Sequence, residues 1–257
     1  MEFIDTHTHL YLEHFDNDRK EVVERAIKNG IRYMLQPNID LGSITPMHEL
    51  CMVFHEHIKP MMGLHPTSVK TDYKEVLAKT EEFLNLNKYV AVGETGIDLY
   101  WDRSFISEQK ESFRQHILWA EKYKLPLVIH SRNALAEIIQ ILNEYKHHKI
   151  NGVFHCYPGD VRTAELLIKM GFLIGVGGTV TYKNSKLQEV VKVVGIEHIV
   201  LETDSPFLPP VPYRGQRNES SYIKDIALKI SEITGLDIGI IASITTKNAE
   251  KLFNLEY

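Results

Sequence analysis

Cysteine is nearly missing from this chain of 257 residues: Cys51 and Cys156 stand alone and far apart, which excludes a disulfide framework and fits a reducing interior. Long apolar runs are missing too. No stretch approaches the about 18 uninterrupted apolar residues of a membrane span, and Glu2 and Asp5 lie where a signal peptide would carry positive charge. A soluble, unexported, cytoplasmic chain with no membrane among its partners is the expectation, and no obligate protein partner is inferred. Excess positive charge is also lacking. A net charge of −5 argues against a protein that coats duplex DNA, because such affinity comes from many Lys and Arg on phosphates. Capture of a chain end stays open, since a divalent cluster adds positive charge that the formal count omits. There is no internal repeat, low-complexity tract or linker, and no glycine-rich turn follows the first apolar run, which removes the usual mark of a doubly wound sheet.

What is present is alternation. Apolar or β-branched runs predict strands over Phe3–His7, Ile31–Gln36, Ile58–Leu64, Tyr89–Glu94, Pro126–His130, Gly152–His155, Phe172–Val176 and His198–Asp204. Between them, amphipathic patterns predict helices over Asn17–Asn29, Ile44–His55, Lys74–Asn85, Ser107–Tyr123, Leu135–Tyr145, Asp160–Met170, Asn184–Val194 and Ser220–Thr234. Asp72 and Ser107 are expected N-caps, and Gly30 and Gly171 are expected C-terminal stops. Strand then helix, eight times, is the pattern of an α/β TIM (β/α)₈ barrel, here expected as a single domain over residues 1–257. A last helical segment, Ile238–Leu252, is expected to close the barrel floor or wall. Pro206–Arg217, with four prolines and two arginines, is the one long structureless loop, and such loops in compact domains are usually functional.

Ionisable residues recur where those strands end. His7 and His9 close the first, His65 follows the third, and Glu94, His130, His155 and Asp204 end the fourth, fifth, sixth and eighth. A barrel gathers its reactive groups at the C-terminal mouth of its strands, so these residues converge there although distant in sequence. His7 and His9 are two apart and share a strand face. His55 and His57 have the same spacing but fall at the opposite end of a βα unit, on the solvated surface. Four imidazoles and two carboxylates suit Zn²⁺, Ni²⁺, Co²⁺ or Mn²⁺ better than Mg²⁺, which prefers oxygen but stays on the list. Six ligands exceed the need of one tetrahedral ion and suit two, bridged by one carboxylate. Glu94 is the bridging candidate, with His7, His9 and Asp204 on one ion and His130 and His155 on the other.

At these residues the chain resembles a known family. Asp5-Thr6-His7-Thr8-His9, Gly63-Leu64-His65-Pro66, Gly93-Glu94-Thr95-Gly96-Ile97-Asp98, Ile129-His130-Ser131-Arg132, Phe154-His155-Cys156 and Leu201-Glu202-Thr203-Asp204-Ser205-Pro206, followed by Arg214-Gly215 and Asn218-Glu219, closely resemble the TatD family of metal-dependent deoxyribonucleases. The resemblance implies a TIM barrel of the metallo-dependent hydrolase superfamily, a cytoplasmic location and metal-dependent hydrolysis of phosphodiesters at DNA ends, so DNA is the expected partner. It carries the metal role onto the same six residues. Thr6, Thr8, Tyr157-Pro158 and Ser220 depart from the usual family residues, and none of them removes a ligand.

The chemistry expected of such a site is attack on phosphorus by a metal-activated hydroxide, with Asp204 accepting the water's proton. His65 is expected to orient the scissile phosphate or protonate the leaving oxygen. Arg132, Arg103 and Arg214 are expected phosphate contacts, and Tyr100, Trp101 and Tyr157 offer rings on which splayed bases could stack. Glu202 is expected to orient a ligand imidazole. Two rival readings remain at this stage: an esterase or amidohydrolase, such as a D-aminoacyl-tRNA deacylase, and a noncatalytic metal-binding scaffold.

Overall fold

The computed structural model describes residues 1–86 and 88–255. Eight parallel strands run β1 (Phe3–Asp5), β2 (Ile31–Pro37), β3 (Ile58–Met61), β4 (Val92–Asp98), β5 (Leu127–Arg132), β6 (Gly152–Phe154), β7 (Phe172–Val176) and β8 (Ile199–Leu201). Between and after them lie α1 (Arg19–Lys28), α2 (Ile44–Val53), α3 (Tyr73–Leu86), α4 (Ile106–Tyr123), α5 (Leu135–Glu144), α6 (Val161–Lys169), α7 (Leu187–Val194), α8 (Ile223–Thr234) and α9 (Ile238–Phe253). Ladders join β1-β2-β3 and β4 through β8 in sequence order. Hydrogen bonds cross the two remaining seams: Thr6 N–H to Leu201 O at 3.0 Å joins β1 to β8, and Gly93 N–H to Met62 O at 2.9 Å joins β4 to the end of β3. The result is a TIM barrel.

Side-chain alternation along each strand builds two cores. Leu127 and Ile129 face the helices, within a core that includes Phe113, Ile117 and Ile138. Val128 faces inward and packs with Ile4, Tyr33, Leu35, Met61, Ala91, Val153 and Val200. Ala249 and Phe253 of α9, with Leu255 beyond it, belong to this inner cluster, so the last helix plugs the barrel floor. Two residues further on, within β5 and just past the ends of β6 and β8, the inward positions change from apolar to ionisable: Val128 gives way to His130, Val153 to His155 and Val200 to Glu202. The apolar plug at one end leaves the other for chemistry.

Boundaries differ from the sequence expectations at several informative places. Strands β1, β3, β6 and β8 stop short of His7, Leu64, His155 and Asp204, which lie in the connections that follow. Strand β4 does the reverse: it begins at Val92 and continues to Asp98, so Glu94 sits inside it rather than at its end. Its register shifts between Val92 and Thr95, and Gly96 opposes His130 so closely that a Cβ there would lie 2.0 Å from the His130 carbonyl oxygen. Ser107 does not cap α4; the helix starts one residue earlier behind Phe105. Asp72 directly precedes α3 and its carbonyl accepts from Val76 N–H. Gly30 and Gly171 take the left-handed conformation after α1 and α6, as helix stops should. Residues 206–217 form no regular element. Among the described residues, no helix is long and apolar enough to cross a membrane.

Candidate metal centre

Connections after strands β1, β3, β6 and β8, together with β4 and β5 themselves, bring His7, His9, His65, Glu94, His130, His155 and Asp204 together at the open end of the barrel. The β1 and β8 segments are tied by Asp5, whose fully buried carboxylate accepts from Thr203 N–H at 2.9 Å, Thr203 Oγ1 at 2.6 Å and His7 N–H at 3.3 Å. Asp204 N–H donates to His7 O at 2.9 Å, so the two histidines and the aspartate hold a fixed register.

Glu94, only 2% exposed, sits at the middle of the cluster with its two oxygens facing different sets. Its Oε2 lies 3.1 Å from His7 Nε2 and 3.7 Å from His9 Nε2. Its Oε1 lies 2.9 Å from His130 Nδ1, 3.3 Å from His65 Nε2 and 3.7 Å from His155 Nε2. Asp204 Oδ1 completes the first set at 3.6 Å from His9 Nε2 and 3.9 Å from His7 Nε2, and also lies 3.9 Å from His155 Nε2. His7 Nε2 and His9 Nε2 are 3.2 Å apart. A cation bound tetrahedrally at about 2.0–2.1 Å from its nitrogens holds its donors about 3.3–3.4 Å apart, so these spacings fit a metal without rearrangement of the chain.

The far sides of the rings carry the same message. His9 Nδ1 donates to Tyr11 Oη at 3.0 Å, whose own hydroxyl donates to Pro37 O at 2.6 Å, leaving the His9 Nε2 lone pair for the centre. His130 Nε2 meets Asp98 Oδ2 at 3.0 Å, and His155 Nδ1 lies 3.2 Å from Glu202 Oε1. Imidazoles that ligate metals are held in this way, one nitrogen on an acceptor and the other aimed inward. His65 differs: its Nδ1 accepts from Thr67 N–H at 3.2 Å, so the neutral ring carries its proton on Nε2, toward Glu94.

The charges fit as well. Burial alone would raise the Glu94 pKa, but His65, His7 and His155 hold it well below the carboxylate range. Asp204 is likewise lowered, the opposing effect of burial being outweighed by His155, His9 and His7. For His155, burial works against the proton, yet Glu202, Glu94 and Asp204 together raise the pKa to about 10. Burial lowers His7 and His65. Carboxylates that hold a proton on one of their own imidazoles form a donor set short of positive charge, which a divalent ion supplies.

Other sequence candidates separate here. Arg132 ends β5, exposed, and lines a cavity of about 770 Å³ above the cluster. Arg103 does not line this cavity; its Nε donates to Leu99 O at 2.9 Å and braces its own loop. Arg214 stacks over Tyr182 at 4.4 Å, also off the cavity wall. Tyr157 lines the same cavity but is buried, with its hydroxyl on Asp160 O at 2.8 Å. Three supporting residues escaped the sequence reading: Tyr11, Asp98 and His116, the last of which accepts from Leu64 N–H at 2.9 Å, just before His65. His55 and His57 flank the turn before β3, far from the mouth, and His57 Nδ1 bonds Arg32 O.

A barrel mouth with this donor set defines a metal-dependent hydrolase of TIM-barrel type. The family model described as TatD related DNase matches residues 4–254, and the chain belongs to that family. It is 39% identical over 252 residues to YabD of Bacillus subtilis strain 168, described as an uncharacterized metal-dependent hydrolase, with 98% of each chain covered. It is 30% identical to YcfH of Escherichia coli K12, described in the same words, covering 100% of this chain and 97% of that one. The crystal structure of YJJV, a TatD homolog from Escherichia coli K12, superposes with a TM-score of 0.92 at 28% identity, covering 99% of this chain and 98% of that one.

Proposed function

We propose that this hydrolase cleaves phosphodiester bonds at DNA ends, with His7, His9, Glu94, His130, His155 and Asp204 holding two divalent ions. The observation that carries the reading is the division of Glu94, each oxygen facing its own set of imidazoles, beneath a cavity whose wall includes Arg132. Ions in such a pair of sites supply charge for the nonbridging oxygens of a phosphate and a water acidic enough to ionise near neutral pH.

The chain's own groups do the rest. Asp204, with 15% of its side chain exposed and its pKa held low by the histidines around it, is ionised and accepts the proton of the attacking water. His65, neutral with its Nε2–H toward the centre, offers the departing oxygen a hydrogen bond and keeps its proton, and the proton that Asp204 accepts neutralises that oxygen as it leaves. Arg132 has no carboxylate within 4.0 Å among the described residues and grips a phosphate oxygen, which favours a phosphodiester over a neutral carboxylic ester. Glu202 and Asp98 fix the rings of His155 and His130.

The test incubates metal-loaded protein with single-stranded DNA labelled at either end, beside a D-aminoacyl-tRNA and a simple ester. A metal-dependent ladder from one end, reduced about 10²-fold or more in Glu94→Gln, is the expected result. Inert DNA with ester turnover sinks the reading.

A further inference from the structure

We propose that His116, on the buried face of α4, is a positioning residue: through the Leu64 amide it sets where His65 presents its N–H to the departing oxygen. The proposal rests on the phosphodiesterase reading above and on the part His65 plays in it, and adds a residue that never meets the substrate.

A helix packed on a barrel should bury an apolar stripe, and α4 does so with Phe113, Ile117 and Ala120. Into the protein it also turns Gln109, Ser112 and His116, each 2% exposed or less. Polar groups buried so deeply destabilise the fold unless they are bonded. Gln109 uses both ends of its amide on Asp98: Oε1 accepts from Asp98 N–H at 2.9 Å and Nε2 donates to Asp98 O at 3.3 Å. His116 reaches the segment after β3 instead, where its Nε2 accepts from Leu64 N–H at 2.9 Å. Ser112 O is a carbonyl and can only accept, so its 2.6 Å contact with Nδ1 places the ring proton there and leaves Nε2 bare.

Strand β3 ends at Met61, so His65 lies beyond it and takes its place from single hydrogen bonds. Met62 N–H donates to Ala91 O at 3.2 Å, Gly63 O accepts from Asn38 Nδ2 at 2.8 Å, and His65 N–H donates to Ile39 O at 2.9 Å. Leu64 N–H has the ring of His116, and Leu64 is 1% exposed, which leaves no room for water to replace that ring. The β4 side of the segment is filled: a Cβ on Gly63 would lie 2.8 Å from the Gly93 backbone and 3.0 Å from Glu94 O. A segment that loses the imidazole must therefore shift to find another acceptor. His65 Nε2, now 3.3 Å from Glu94 Oε1, shifts with it. A misplacement of about 1 Å in a group that acts on the reacting atoms costs about 10²-fold in rate.

The experiment compares His116→Leu, which fills the space without an acceptor, with His116→Gln, which keeps one, and with Ile117→Ala, which only weakens the packing of α4. His116→Met, with a more adaptable side chain, replaces His116→Leu if circular dichroism shows that variant unfolded at the assay temperature. Each metal-loaded protein cleaves, in single turnovers, a DNA end and the same end with sulfur in place of the departing bridging oxygen. A thiolate is stable near neutral pH and leaves without a donor, so a residue that works through His65 matters for oxygen alone. The expected result is that His116→Leu slows the oxygen substrate about 10- to 100-fold and the sulfur substrate less than about 3-fold. His116→Gln and Ile117→Ala should keep the ratio of the two rates within about 3-fold of the wild type. In a His65→Ala background, His116→Leu should add no further loss. An unchanged oxygen rate in His116→Leu, equal slowing of both substrates, or a full further loss without His65 overturns the positioning role and leaves phosphodiester cleavage standing. A wild type that cleaves neither substrate overturns the phosphodiesterase reading and this role with it.

Discussion

His116 gives a quantitative check that does not involve the metal. It lies wholly buried on α4, where Nδ1–H donates to Ser112 O at 2.6 Å and Nε2 accepts from Leu64 N–H at 2.9 Å, with the ring edge-to-face against Trp119. Both bonds require the neutral ring, and burial lowers its pKa from 6.5 to about 4. A base that resists protonation only when folded contributes stability above pH 6.5 that is lost as pH falls toward 4, because the unfolded chain takes up the proton first. From pH 6.5 to pH 5 that is about 1.5 pH units at about 1.4 kcal/mol each, or about 2 kcal/mol. His116→Gln keeps an acceptor for Leu64 N–H and cannot titrate. Urea unfolding of both proteins at pH 7.5 and pH 5 cancels every histidine they share. The wild type should lose about 2 kcal/mol more than the variant on acidification, a gap of about 4–8 °C in melting temperature for a chain of this length. Equal losses would refute the assignment of a neutral, doubly bonded His116.

The remaining predictions address the centre and its frame. Asp98→Asn and Glu202→Gln, which free the rings of His130 and His155, should each weaken divalent-metal affinity about 10- to 100-fold in a calorimetric titration, and unchanged affinity would remove their orienting role. Gly96→Ala puts a methyl 2.0 Å from His130 O at a φ of +139°, and should cost about 3 kcal/mol or more in denaturant unfolding; a cost under about 1 kcal/mol would show that the β4–β5 wall yields easily. Arg25→Ala strips Glu219, whose side chain is 7% exposed, of a bidentate partner at 2.7 and 2.6 Å, and should lower stability by about 1–3 kcal/mol, read by the same unfolding.

Much of this was legible because burial in a parallel barrel is periodic. Apolar runs mark the strands, and an ionisable residue two positions past an inward apolar one, as in Val128 then His130, marks the mouth. The C-terminal half of β4 is not legible in the sequence because Gly93 and Gly96 interrupt the apolar pattern, although they are there to let β4 approach its neighbours. Ending that strand at Glu94 hid Asp98. In the full strand, positions 94, 96 and 98 share a face, which brings Asp98 to His130 with no further information. Tyr11 and His116 act through contacts of the tertiary fold, and nothing in their local sequence distinguishes a buried support from an ordinary packed residue. Arg103 and Arg214 lie on the expected loops, but their side chains are turned to a carbonyl or a ring, which local sequence does not foretell.

The central claim is that Glu94 divides its two oxygens between two metal sites. Crystals soaked in Mn²⁺ or Zn²⁺ and measured at the metal's absorption edge test it directly. Two anomalous peaks on either side of Glu94, one against His7, His9 and Asp204 and one against His130 and His155, with both weakened in Glu94→Gln, are the predicted result. No peak among these residues, or one ion with Glu94 turned away from it, would contradict it.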